Sequence, residues 1–290
     1  MPTMSSAPIT SMTDVVVPLD RRDPSTRAVP VAVRIAERLG LGLRLFCVSD
    51  ATDEADAYLR DIAEAASTSI PIATAVVPGG DAAPAIVGVA GASGLVCMAT
   101  SATLRPHQGH IGSVAEDVVR LLGRPLVLVG PEADVRADAV TDRIVAPIDG
   151  SELSERTLTV AGDLAGAFAI DAWVVSVVPQ RAEAEAGAHV GHVFAAESGY
   201  VKHHAEDLGR EFGIRVGYDV LHMDDPVRAI VDFAGSDGMI VMSTHGRSGL
   251  NRLFGGSVTT GVVARSKRPV VVWRPAHESA PDPAAHPVDG

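Results

Sequence analysis

Met242-Ser243-Thr244-His245-Gly246-Arg247-Ser248-Gly249, followed by Leu250 to Gly255 and then Gly256-Ser257-Val258-Thr259, decides how the chain is read. The run before it, Gly238-Met239-Ile240-Val241-Met242, is short and apolar, as a buried parallel strand would be. After it Val258, Val262 and Val263 recur at helical spacing, and Arg265-Ser266-Lys267 with Pro269 mark the end. The order is therefore strand, glycine-rich loop, helix start. Glycines allow close approach of backbone to a ligand, and the first helical turn leaves N–H groups unpaired. Those donors and the positive end of the helix dipole suit an anion, typically phosphate. Ser257 and Thr259 add hydroxyl donors, and Arg247 inside the loop is a further candidate phosphate partner.

The same figures occur twice. Thr13-Asp14-Val15-Val16-Val17-Pro18-Leu19-Asp20 is echoed by Thr141-Asp142-Arg143-Ile144-Val145-Ala146-Pro147-Ile148-Asp149. Arg124-Pro125-Leu126-Val127-Leu128-Val129 is echoed by Arg268-Pro269-Val270-Val271-Val272-Trp273, and Gly112-Ser113-Val114 by Gly256-Ser257-Val258. Asp20 and Asp149 stand 129 apart but Gly112 and Gly256 stand 144 apart, so the second half carries 15 extra residues, placed near Gln180 to Gly199. A repeat of this length means two similar domains, not a solenoid.

In the second half, Ile144 to Ile148 is strand one, and Ser151 caps a helix with Leu153, Thr157, Val160, Ala161, Leu164 and Phe168 on one face. Ala172 to Val178 is strand two. A helix with Val201, Ala205, Leu208 and Phe212 on one face follows, ending at Gly213. Arg215 to Leu221 is strand three, and a helix opened by Asp225-Pro226 leads to strand four at Gly238 to Met242. The first-half equivalents are 15–19, 25–39, 43–48, 53–66, 72–77, 82–90, 94–98, 113–122 and 126–129. Alternating strands and helices predict an α/β fold: two Rossmann-like, flavodoxin-like open parallel five-stranded sheets in tandem, with helices on both faces. The expected boundaries are a disordered leader at 1–12, a first domain at 13–131, a linker at 132–141, a second domain at 142–275 and a disordered tail at 276–290.

In such sheets a ligand sits beyond the carboxyl ends of the strands, where the strand order reverses, which places it beside strand one. Asp149 then faces the glycine-rich loop across one crevice if strands one and four are neighbours. Phosphates on the loop, ribose hydroxyls on the carboxylate and adenine near Val177 and Val178 make a nucleotide site. Asp149-Gly150-Ser151 also fits a plain turn with a helix cap, and the glycines fit loop punctuation.

On these residues the chain resembles a tandem universal stress protein, of the actinobacterial type, over Asp14 to Pro275. The family pattern is a glycine, two residues, a glycine, nine residues, then glycine followed by Ser or Thr. Gly246, nine residues and Gly256-Ser257 match it, with Ser243 at the first glycine. The resemblance implies an adenine nucleotide alpha hydrolase-like fold and an ATP pocket, with or without Mg, lined by Pro147, Asp149, Val177, Met242, Gly246, Gly256, Ser257, Val258 and Thr259. In the first half Asp20, Gly112 and Ser113 remain, while Ala99 and Ala102 replace the two earlier glycines. Weaker nucleotide binding there, or a structural role, is expected. The resemblance also implies that strand five is the pairing edge, so Leu126 to Val129 and Val270 to Trp273 are expected to pair within the chain, forming an intramolecular pseudo-dimer. A homodimer of the whole chain is a further expectation.

A net charge of -12 argues against nucleic-acid and anionic-membrane partners. Cys47 and Cys97, two cysteines in apolar runs, make no disulfide framework, and without a signal peptide or a spanning run the protein is expected in the cytoplasm. His107-Gln108-Gly109-His110 and His189-Val190-Gly191-His192 share an H-x-x-H spacing but no third ligand is identified, so no metal site is expected. No Walker lysine motif, dinucleotide fingerprint or serine elbow is present, and no general base stands out. Three functions follow in order of expectation: an ATP-binding stress-response sensor without turnover, a ligand-free pairing module, and an ATP-using ligase.

Overall fold

The structure is a computed structural model that describes residues 8–66, 68–101, 103–105, 108–136, 142–180, 190–244 and 257–275. The first half contains β1 (Asp14–Leu19), α1 (Asp23–Thr26), α2 (Ala28–Leu39), β2 (Gly42–Val48), α3 (Thr52–Ala65), β3 (Ile72–Val77), α4 (Ala82–Ala90) and β4 (Gly94–Ala99). A small hairpin, β5 (Thr103–Arg105) and β6 (Gln108–His110), precedes α5 (Ser113–Leu122) and β7 (Leu126–Val129). The second half contains β8 (Arg143–Ile148), α6 (Glu152–Phe168), β9 (Asp171–Val178), α7 (Val190–Phe212), β10 (Val216–His222), α8 (Pro226–Ala234), β11 (Gly238–Ser243), α9 (Ser257–Arg265) and β12 (Val270–Trp273).

The strands form one ten-stranded sheet in the order β10-β9-β8-β11-β12-β7-β4-β1-β2-β3. Each half runs 3-2-1-4-5, all parallel, and β12 meets β7 antiparallel with Val270 opposite Leu128, Val271 opposite Val127 and Val272 opposite Leu126. The expected pairing of the two fifth strands is therefore present. Continuous apolar runs explain the central strands: every residue of β7 and β12 is buried, because helices cover both faces. One apolar core lies under α2, α3, α6 and α7, the other under α4, α5, α8 and α9, and each crosses from one half into the other without a break.

Local departures from expectation have physical causes. The single helix expected at 25–39 is divided at Arg27 into α1 and α2. Pro30 has no N–H to bond the carbonyl four residues back, and in the first turn of α2 that loss costs nothing. The hairpin β5–β6 was not foreseen, since two three-residue strands carry no readable period. The leader expected through Met12 needs correction from residue 9 onward. Ile9–Ser11 forms a 3₁₀ turn, Ile9 and Met12 are 2% and 5% exposed, and the Ile9 N–H donates to the carboxylate of Asp163 on α6. Two apolar side chains in a Ser/Thr-rich stretch suffice to anchor it. Burial pushes the Asp163 carboxyl above its ordinary pKa, and the Ile9 N–H partly opposes this.

The described part of the expected linker is also held down. Arg27 donates to the carbonyls of Gly130, Pro131 and Ala133 at 3.3, 3.1 and 2.8 Å, and Lys267 pairs with Glu132 at 2.6 Å. The expected tail at 276–290 lies outside the described residues. Among the described residues no helix is long and apolar enough to cross a membrane.

Candidate functional site

Strands one and four are neighbours in both halves: β1 pairs β4 from Asp14 opposite Gly94, and β8 pairs β11 from Arg143 opposite Gly238. The carboxyl ends of each pair therefore lie side by side.

In the second half, Asp149 follows β8 and is exposed. Its Oδ1 accepts from the Ser151 amide at 3.1 Å and the Ser151 hydroxyl at 2.6 Å, and Gly150 turns the chain at φ 77°. Ser151 Oγ in turn accepts from the Ser154 amide at 3.2 Å, capping α6. The turn-and-cap role read from the sequence is thus present in these contacts. Thr259 lies in the first turn of α9, 3% exposed, and its hydroxyl donates to the Ser243 carbonyl at 2.8 Å. That hydrogen bond ties α9 to the end of β11.

Met242 is buried on the α8 and α9 face, Pro147, Val177 and Val258 are half-buried, and Ser257 opens α9. Gly246, Arg247 and Gly256 fall outside the described residues, as does His245. His107 and His189 do too, and among the described residues no three His, Cys, Asp or Glu side chains are grouped to hold a metal.

Sequence reasoning missed an acidic cluster beside Asp149. Tyr200 on α7 donates to Glu155 Oε1 at 2.7 Å, and Ser176 on β9 donates to Glu197 Oε1 at 2.9 Å. Burial raises the Tyr200 phenol pKa, helped by the bond to Glu155 and by the charges of Glu155, Asp149 and Glu197. The inserted residues gave a signal, since α7 spans 23 residues where α3 spans 14. The insertion alone named no partner.

In the first half, a cavity of about 410 Å³ opens between the ends of β1 and β4. Asp20, Arg22, Ser101, Gly112 and Ser113 are among its polar lining, and Phe46, Val48, Ile86 and Met98 among its apolar lining. The three residues foreseen there, Asp20, Gly112 and Ser113, meet in one space of the size and character of a small-ligand pocket. Gly112 has φ 109°, and a Cβ on it would lie 3.3 Å from Ser101 Oγ, so only glycine fits without strain. Asp20 Oδ1 accepts from the Arg22 amide at 3.1 Å, and the Arg22 guanidinium lies 3.9 Å from Oδ2. The half expected to be the weaker binder thus has a formed cavity. Gly112, Ala99 and the strand ends contribute to its lining, and residue 102 lies outside the described residues.

Arg21 holds φ 61° where the second half has Gly150 at 77°. A side chain in this left-handed region costs about 1–2 kcal/mol. Arg21→Gly is expected to raise stability by about 1 kcal/mol, read as a higher urea midpoint at unchanged slope. The lost ion pair with Glu54 is exposed and offsets little of this gain.

A groove of about 310 Å³ between α2 and α3 contains Arg34 and Glu37, which pair with each other at 3.6 Å. It offers no convergent polar groups.

Fold and crevices together define a doubly wound α/β protein with ligand space at the carboxyl ends of its parallel strands. Residues 141–274 match the Universal stress protein family. A universal stress protein of Mycobacterium tuberculosis strain H37Rv is 27% identical over 208 residues, covering 66% of this chain and 65% of the relative. The chain thus spans just under two thirds of that relative's length. One from Methanocaldococcus jannaschii is 27% identical over 140 residues, covering 45% of this chain and 80% of that one. A solved universal stress protein from Archaeoglobus fulgidus superposes with a TM-score of 0.62 at 18% identity, covering 92% of this chain and 98% of that one. That likeness shows the fold of both halves.

Proposed function

We propose that this chain binds adenine nucleotide, ATP with or without Mg, and works as an occupancy sensor in stress response, without turnover. The observation that carries the reading is the first-half cavity, where a carboxylate, two serines and a helix-opening glycine converge over an apolar wall. That set supplies a partner for ribose hydroxyls, donors for phosphate and a surface for a base. In the second half the matched glycine spacing at Gly246 and Gly256 and the adjacency of β8 and β11 support a second site of the same kind. A cytoplasmic location and a homodimer of the whole chain belong to the same reading.

The alternative is a pairing module that holds no ligand. It is favoured by the β7–β12 joint and by the structural hydrogen bonds of Asp149 and Thr259. Mass spectrometry of small molecules released from the purified, denatured full chain separates the two. Released adenine nucleotide, together with a rise in melting temperature on added ATP that Asp20→Ala/Asp149→Ala reduces, supports the sensor. No nucleotide and unchanged melting would leave the pairing module.

A further inference from the structure

The continuous sheet ends in two outer strands, β3 and β10, and side chains close the edge of only one of them. We infer that the outer edge of β3 pairs with β3 of a second copy of this chain, antiparallel, about a two-fold axis at Thr74. This assigns a surface to the homodimer of the reading above, on which it rests, and is independent of nucleotide.

The backbone directions follow from the pairing with β2. The Leu43 amide donates to the Pro71 carbonyl and the Ser49 amide to the Val77 carbonyl, both at 2.9 Å. Residues 71, 73, 75 and 77 therefore turn their backbone groups toward β2, and Ile72, Thr74 and Val76 turn theirs outward. Among the described residues nothing bonds those outward groups. Ile72-Ala73-Thr74-Ala75-Val76-Val77 also carries no charge, the usual guard of an exposed edge.

The matching edge of the second half is guarded. The Ala172 amide donates to the Arg215 carbonyl at 3.0 Å, so Val216, Tyr218, Val220 and His222 are the outward residues of β10. The Val220 amide is taken by Asp219 Oδ1 at 2.8 Å, and the His222 carbonyl accepts from Gln180 Nε2 at 3.1 Å. Asp219 adds an exposed charge.

A second copy fits the open edge because that edge is complementary to itself. Turned about a two-fold axis, Ile72 meets Val76, Thr74 meets Thr74 and Val76 meets Ile72, each pair exchanging both of its hydrogen bonds. β-branched and Thr–Thr pairs across strands are favourable. Pro71 and Pro78 bound the strand and confine the pairing to it. The chain already extends its sheet once in this manner, through three antiparallel pairs of apolar residues at the β7–β12 joint.

The test is sedimentation velocity of the full chain, with circular dichroism to confirm folding of each variant. The unmodified protein is expected at twice the 30.0 kDa of one chain. Thr74→Lys and Thr74→Glu each set like charges opposite one another at a Cα separation of about 5.5 Å, and each should weaken dimerisation at least about tenfold. An equimolar mixture of the two should restore the dimer, which damage to the single chain would not do. Thr74→Pro removes an N–H that the fold itself does not use, and should give a folded monomer. It keeps the test open if the charged variants fail to fold. A dimer untouched by all three substitutions would overturn the β3 surface and leave a homodimer through another face. Folded charged variants that stay monomeric when mixed would overturn the two-fold at Thr74. A monomeric unmodified chain would remove the β3 surface and the homodimer together, leaving nucleotide binding to be judged by its own measurement.

Discussion

Leu128→Ala is expected to lower stability by about 3 kcal/mol, and the loss is expected to register in both halves at once. Leu128 is fully buried in β7, faces the core under α4, α5, α8 and α9, and stands opposite Val270 across the central joint. Truncation there removes transfer free energy and leaves a space that a sheet packed on both faces cannot close. Because both cores run through the joint, the halves should unfold in one transition. Trp173 and Trp273 are the two tryptophans of the chain, and both lie in the second half. Urea unfolding followed by tryptophan fluorescence and by far-ultraviolet circular dichroism therefore separates the cases. Coincident curves, both shifted by this first-half substitution, are expected. Fluorescence unmoved while the dichroism curve splits in two would show that the halves unfold independently.

Gly130→Ala should have an effect of similar size for a different reason. A Cβ at Gly130 would lie 1.9 Å from the backbone carbonyl oxygen of Val263 in α9. Backbone cannot swing aside as a flexible side-chain tip can, so α9 or the end of β7 must move. Overpacking of this kind costs about 1–3 kcal/mol, and more where the neighbour is rigid. The displaced helix is the one that opens at Ser257, so the ATP affinity proposed for the second half should fall along with the urea midpoint. An alanine variant with both quantities unchanged would mean that β7 and α9 are not packed as described.

Much of this architecture was legible in the residues. Buried parallel strands are continuous apolar runs, so Val15 to Leu19, Leu126 to Val129 and Gly238 to Met242 declared themselves as strands within a residue or two of their ends. The joint of the two fifth strands is implied by the family resemblance, and the adjacency of strands one and four is the condition on which the crevice is read. What escaped was set by contacts between distant segments. Ile9 and Met12 looked like part of a polar leader because their receptor, α6 with Asp163, lies more than 150 residues on. No sequence signal announces that Ser243 presents a carbonyl to Thr259. The first-half cavity could not be read from Ala99 and Ala102. The space is shaped instead by Gly112, by Phe46 and by the ends of two neighbouring strands.

The antiparallel meeting of β7 and β12 has a consequence for divergence. When identical copies associate, any change on one side of the contact is imposed on the other. Here the partners are written separately in one polypeptide, so their ratio is fixed at one to one and each can vary alone. Alanines at 99 and 102 need no match at 243 and 246, and the extra residues near Gln180 to Gly199 need no counterpart after β2. Symmetry is kept where the sheet is continuous and given up at the two crevices.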